Sequence, residues 1–139
     1  LLLWAEPAAI LEWEYTADYR MVEQGPDGSI RETPRFWMIR QFARRTPRPA
    51  EALATRSDHD KVLLTAFVPE GKSRPLVLHL ANCGAARKVT VTGLGAAGRL
   101  SAVRTSWDDG WSERPAVRPA GGRLTLELPR FSLTTLTAE

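Results

Sequence analysis

Leu124-Thr125-Leu126-Glu127-Leu128-Pro129-Arg130-Phe131-Ser132-Leu133-Thr134-Thr135-Leu136 decides the fold of this chain. Its first five residues alternate apolar and polar with period two, which sets one face of a strand in a core and the other in water. Pro129 cannot donate to a ladder and ends that run. A second run, Phe131 to Thr137, reads as the last strand. Val89-Thr90-Val91-Thr92 shows the same alternation. Working outward, Leu53 to Arg56, Val62 to Val68, Leu76 to Ala81, Lys88 to Thr92 and Gly98 to Arg104 also read as strands. Turn signals separate them: Ser57-Asp58-His59-Asp60, Pro69-Glu70-Gly71-Lys72, Asn82-Cys83-Gly84, Leu94-Gly95 and Ala120-Gly121-Gly122. Short strands at this spacing predict an antiparallel β-sandwich of about seven strands over residues 47–139.

Residues 1–46 have a different texture, and the change falls at Thr46-Pro47-Arg48-Pro49. Ala8 to Tyr15 is a short apolar and aromatic run that reads as one strand. Pro26-Asp27-Gly28 is a turn, because Pro presets φ and Gly accepts a positive one. Thr33 can cap a helix that starts at Pro34, carries Phe36, Trp37, Met38, Ile39 and Phe42, and ends on Arg44-Arg45, whose charges suit its C-terminal dipole. Strand, long loop and helix make one β/α unit, which cannot bury both its faces by itself.

The 139 residues carry a net charge of +3, 43% hydrophobic and 25% charged residues, the composition of a globular chain. Sixteen Arg and three Lys are scattered almost singly, so no basic stripe suited to nucleic acid is present. No segment reaches the roughly twenty apolar residues of a membrane-spanning helix. Leu1-Leu2-Leu3 ends too soon at Trp4-Ala5-Glu6-Pro7 to be a secretory core. Without an initiator Met the chain reads as the continuation of a longer protein, whose compartment is therefore open. The single Cys83 excludes an internal disulfide, and no Cys/His spacing suits a metal. Cys83 itself reads as a small half-buried side chain at a strand end rather than a nucleophile.

Phe36-Trp37-Met38-Ile39-Arg40-Gln41-Phe42-Ala43-Arg44, followed by Pro47 to Pro49 and a strand near Leu53, resembles the last barrel helix and linker of clan A glycoside hydrolases, especially glycoside hydrolase family 30. There a helix of the form "aromatic-x-x-x-Gln-Phe-Ser-x-(Phe)-x-x-Pro" leads into a β-sandwich; this chain has Ala43 at the Ser position. Leu76 to Asn82 agrees, and Leu128-Pro129-Arg130-Phe131-Ser132-Leu133-Thr134-Thr135-Leu136 is similar to that family's "Leu-Pro-x-x-Ser-x-x-Thr-Leu" ending. The resemblance runs from about Ile10 onward. It implies that residues 1–46 are the last β/α unit left over from a TIM barrel, with the Thr16 to Glu32 stretch as its β/α loop, and that residues 47–139 are an accessory sandwich. The missing N-terminal barrel would be its partner and an oligo- or polysaccharide the parent's substrate. The family's acid/base and nucleophile are two Glu on earlier strands, so this chain would be a non-catalytic piece of a glycosidase, with no cofactor and no metal.

On that resemblance Trp13, Glu14 and Tyr15 would sit near the substrate mouth, since barrel chemistry gathers at strand C-terminal ends. Glu12 and Glu14 share a strand face at about 7 Å, a separation open to glycoside cleavage, but the family's pair comes from two different strands. Trp107-Asp108-Asp109-Gly110-Trp111 places two indoles around a turn, a candidate sugar-stacking platform. The plainer reading is that one or both cover the sandwich edge or the barrel contact. Asp108 and Asp109 fall short of the six to eight oxygens that Ca²⁺ takes. Phe36, Trp37 and Trp4 read as core residues. A different class stays open: a non-catalytic carbohydrate-binding or adhesion module, or a spacer with no ligand.

Overall fold

In a computed structural model, which describes residues 20–73, 75–95 and 97–138, the first element is a hairpin. Strands β1 (Val22–Gln24) and β2 (Ile30–Glu32) pair antiparallel where the sequence suggested only a loop. The expected turn closes it: Gly28, at φ 81°, donates to Gly25 O, and Asp27 Oδ1 accepts from both the backbone N–H and the hydroxyl of Ser29. A positive φ there is open to Gly at no steric cost. Each strand has only three residues, too few for a periodicity to show in sequence.

Helix α1 (Pro34–Arg45) follows with the expected ends. Thr33 Oγ1 accepts from Phe36 N, Pro34 fills the first turn where an N–H would be orphaned, and Arg44 and Arg45 occupy the last turn. The Thr46 N–H closes it on Phe42 O.

Eight strands succeed the helix among the described residues, one more than expected. They are β3 (Ala50–Leu53), β4 (Val62–Pro69), β5 (Val77–Asn82), β6 (Arg87–Val91), β7 (Leu100–Ser106), β8 (Ser112–Val117), β9 (Leu124–Leu128) and β10 (Ser132–Ala138). The extra one, β8, holds Pro115 where the β7–β8 register slips, between the pairs Leu100↔Val117 and Ala102↔Arg114. Proline is tolerated at such a bulge on an edge strand, and it is also what hid the strand. The first sandwich strand lies at Ala50–Leu53 rather than beginning at Leu53.

Six strands form one sheet in the order β3-β4-β5-β10-β7-β8, and β6 pairs with β9 in a second. All pairs are antiparallel. The last strand is thus a central one, flanked by β5 and β7, and nearly every β10 residue is buried. Its entry is fixed at Pro129, whose carbonyl accepts from Asn82 Nδ2 at 2.7 Å and from Ser132 Oγ at 2.8 Å. The core lies between the sheets, where Leu78, Leu80, Leu100 and Leu136 of the large sheet meet Val91, Leu124 and Leu128 of the small one. Helix α1 packs on the opposite face of the large sheet, against β7 and β10.

Candidate functional site

The helix meets the sheet through polar groups. Gln41 is 0% exposed in mid-helix, and its Nε2 shares two protons among Thr135 Oγ1 (2.8 Å), Leu133 O (3.0 Å) and Val103 O (3.2 Å). Its Oε1 accepts from Thr105 Oγ1 at 2.8 Å. One side chain therefore ties α1 to β7 and β10, and both polar atoms of the Gln41 amide have partners. Beside it lies His79, 2% exposed on β5, its ring 4.5 Å from that of Phe42 and 5.8 Å from that of Phe67. Nδ1 stands 2.9 Å from Thr135 Oγ1 and Nε2 3.1 Å from Thr46 Oγ1. The Thr46 hydroxyl gives its one proton to Phe42 O at 2.7 Å, so Nε2–H donates to it. Nδ1 then accepts from Thr135, whose oxygen accepts from Gln41. Burial holds the imidazole neutral, with its pKa lowered to about 4.

This seam is a structural site, and its members were only partly visible beforehand. Gln41 stood in the family-like helix, but nothing marked it as the anchor in place of Phe36 and Trp37. Those two are half-buried and meet edge to face at 5.2 Å. His79 carried no signal beyond its place in an apolar run, since its partners Thr46 and Thr135 lie far along the chain.

The second place with chemistry is the loop between β7 and β8. It is rigid at its base: Ser106 N–H donates to Asp109 O and Asp109 N–H to Ser106 Oγ, both at 3.0 Å. Gly110 lies against Trp37, where an added Cβ would stand 3.3 Å from Nε1, so glycine is what lets the loop approach the helix. The two tryptophans part company here. Trp111 is half-buried, with the guanidinium carbons of Arg40 and Arg45 at 5.1 and 5.3 Å from its ring centroid; Arg40 also stands 4.9 Å from that of Trp37. Arg45 reaches Glu113, whose side chain is largely in water, at 3.9 Å. Trp107 is 61% exposed, and its N–H donates to Phe131 O at 3.0 Å. Phe131, which opened the last strand in the sequence reading, is 45% exposed with φ 43°.

Trp13, Glu14 and Tyr15 lie outside the described residues, as do Glu12 and Trp4. Cys83 is exposed just past β5, not half-buried as expected: its N–H bonds Lys61 O one step beyond the last β4–β5 pair, at the open end of the sheet. A cleft of about 670 Å³ opens beside β6, lined by the partly buried Leu64, Leu76 and Val89 and by Arg56, His59 and Arg87. Among the described residues no group of three or more His, Cys, Asp or Glu could hold a metal. No helix among them is long and apolar enough to cross a membrane.

No family model matches the chain, and no curated protein does. Solved structures do. A family 30 endoxylanase from Clostridium papyrosolvens superposes with a TM-score of 0.68 at 20% identity, over 78% of this chain and 28% of its own. The family 30 subfamily 8 xylanase Xyn30A from Clostridium acetobutylicum gives 0.70 at 17% identity, over 84% and 30%. The catalytic domain of xylanase C from Talaromyces cellulolyticus gives 0.69 at 19% identity, over 86% and 27%. The chain thus spans less than a third of the length of each. In fold it is similar to the C-terminal part of the xylanases of glycoside hydrolase family 30.

Proposed function

We propose that this chain is the C-terminal part of a carbohydrate-active glycoside hydrolase, itself non-catalytic, which holds the barrel in place and lines one rim of the substrate cleft. In this reading residues 1–46 contribute the last β/α unit of the barrel, and residues 47–139 are the sandwich that buttresses it. The observation that carries the reading is Gln41. A buttress must fix a barrel helix in one orientation, and a buried amide with polar partners on two strands does that where apolar packing alone would allow sliding. The parent would cleave a polymer such as the xylan named for its structural neighbours, with an acid/base and a nucleophile supplied by other parts of the polypeptide. Trp13, Glu14 and Tyr15 would stand near its mouth. Of the two loop tryptophans, Trp107 has the open ring, while Trp111 holds the loop on α1 through Arg40 and Arg45.

The test uses the longer polypeptide that contains this chain, assayed for release of reducing ends from xylan. Gln41→Ala is expected to lower its melting temperature and the fraction of active enzyme, with KM unchanged in what survives. Wild-type polypeptide without xylan, glucan or mannan cleavage would refute the hydrolase assignment. Undiminished melting temperature in Gln41→Ala would refute the buttress role.

A second reading is a non-catalytic carbohydrate-binding module, and the exposure of Trp107 favours it. Glycan affinity in this chain together with an inactive longer polypeptide would select it.

A further inference from the structure

We infer that Trp107 and Phe131 form a glycan-stacking pair at one end of the sandwich, a site for a β-linked pyranose chain; the choice of xylan as its polymer rests on the reading above. The β7–β10 register ends at Ser106↔Ser132, and its next step outward sets Trp107 opposite Phe131. Both residues lie just beyond the strand ends, where a backbone hydrogen bond of 3.0 Å from Trp107 N–H to Phe131 O joins them. Both are large apolar side chains open to solvent.

Phe131 also adopts a φ of 43°, a region that an aromatic residue seldom enters. The position is held from both sides, since its N–H donates to Gly84 O at 3.2 Å and its C=O accepts from Trp107. Residues kept in such conformations by their surroundings cluster at ligand sites. The backbone at Trp107 is likewise fixed, because the Ser106 and Asp109 bonds close the turn that carries it. Backbone held in this way at both residues lowers the entropy lost on meeting a ligand.

The fringe is polar. Arg130 lies over one face of the Phe131 ring, its guanidinium carbon 5.5 Å from the centroid, and the Asp109 side chain is largely exposed while pairing with Arg104 at 3.6 Å. Apolar ring faces among charged donors and acceptors suit a pyranose, whose axial C–H bonds make an apolar face and whose hydroxyls ring its edge. A peptide or lipid partner would call for a continuous apolar patch instead.

Location adds to this. Gly110 of the same loop touches Trp37, in the first turn of α1. In a β/α barrel the helix N-termini lie on the side of the strand C-terminal ends, where active sites are built. The pair thus sits on the side from which a bound chain would run toward the cleft.

The experiment titrates the 139-residue chain with xylohexaose and, separately, cellohexaose, followed by the tryptophan indole N–H resonances and by calorimetry. Wild type should bind at millimolar glycan, and Trp107→Ala and Phe131→Asn, the latter tolerant of positive φ, should each weaken binding by about tenfold. Thermal unfolding of each variant reports that it is folded; should either fail, Trp107→Leu keeps an apolar side chain without the ring and carries the comparison. Binding of neither glycan, or unchanged affinity in the Trp107 and Phe131 variants, overturns the site. Binding of cellohexaose alone, lost in those variants, upholds the pair and discards xylan. Xylan cleavage by the longer polypeptide with no glycan affinity here leaves the hydrolase reading standing and removes the pair.

Discussion

The two faces of the six-stranded sheet are built from different chemistry. Toward the small sheet the contact is aliphatic, with Leu78, Leu80, Leu100 and Leu136 against Leu124 and Leu128. Toward α1 it is a polar seam in which Gln41, His79, Thr105 and Thr135 are all buried and bonded to one another or to the backbone. The aliphatic face stabilises without direction, since burial depends on area and not on angle. The polar face contributes less net energy per bond but admits one placement of the helix, because any slide leaves buried donors and acceptors bare. One face holds the sandwich together, and the other says where the helix goes.

Removing the main pin should break this contrast most sharply. Gln41→Ala leaves Val103 O, Leu133 O and the Thr105 and Thr135 hydroxyls beside a void, and should cost about 4 kcal/mol in urea unfolding of this chain. Hydrogen exchange should show protection lost in α1 before the β6–β9 pair. Equal loss in both would mean that the two faces are not separable.

On the other face Leu136→Ala, at a fully buried position between the sheets, should cost about 3 kcal/mol through lost transfer energy and a residual cavity. Leu136→Met should restore most of it, since volume matters more there than shape. No conservative exchange should rescue Gln41 in this way, and rescue by Gln41→Met would erase the distinction.

His79 makes the seam pH-sensitive while the aliphatic face is not. The unfolded imidazole takes a proton near pH 6.5 and the folded one only near 4. Between those values the unfolded state holds more protons, so stability falls as pH falls through that window. From pH 7 to pH 5 this amounts to about 2 kcal/mol, lost in addition to any carboxylate effect. His79→Gln should be less stable at neutral pH and should lack that share of the slope; an unchanged slope would place the proton elsewhere. The smallest effect belongs to the helix entry, where Thr33→Ala removes the cap on Phe36 N and should cost about 1 kcal/mol by thermal melting.

Much of this was legible in the chain. Leu124 to Leu128 was read with its observed bounds, and the ends of α1 followed from Thr33-Pro34 and Arg44-Arg45. These signals are local: period-two alternation, a capping hydroxyl and a fixed proline φ act over a few residues, whatever the rest of the molecule does. Strand β8 escaped because its edge position and bulge let a proline stand in it, and the β1–β2 hairpin escaped because three residues carry no period.

What only the tertiary structure decided is non-local. Gln41 is one polar residue among others in a helix until β7 and β10 bring Val103, Thr105, Leu133 and Thr135 to its amide. Trp107 and Trp111 are alike in sequence, yet Arg40 and Arg45 draw one onto the helix and the turn closed by Ser106 and Asp109 leaves the other in water. Phe131 read as the first residue of a strand until Gly84 and Trp107 bound its backbone at a positive φ. Local propensity fixes what a segment becomes, but burial and hydrogen bonding of a side chain depend on partners dozens of residues away, which no short stretch of sequence contains.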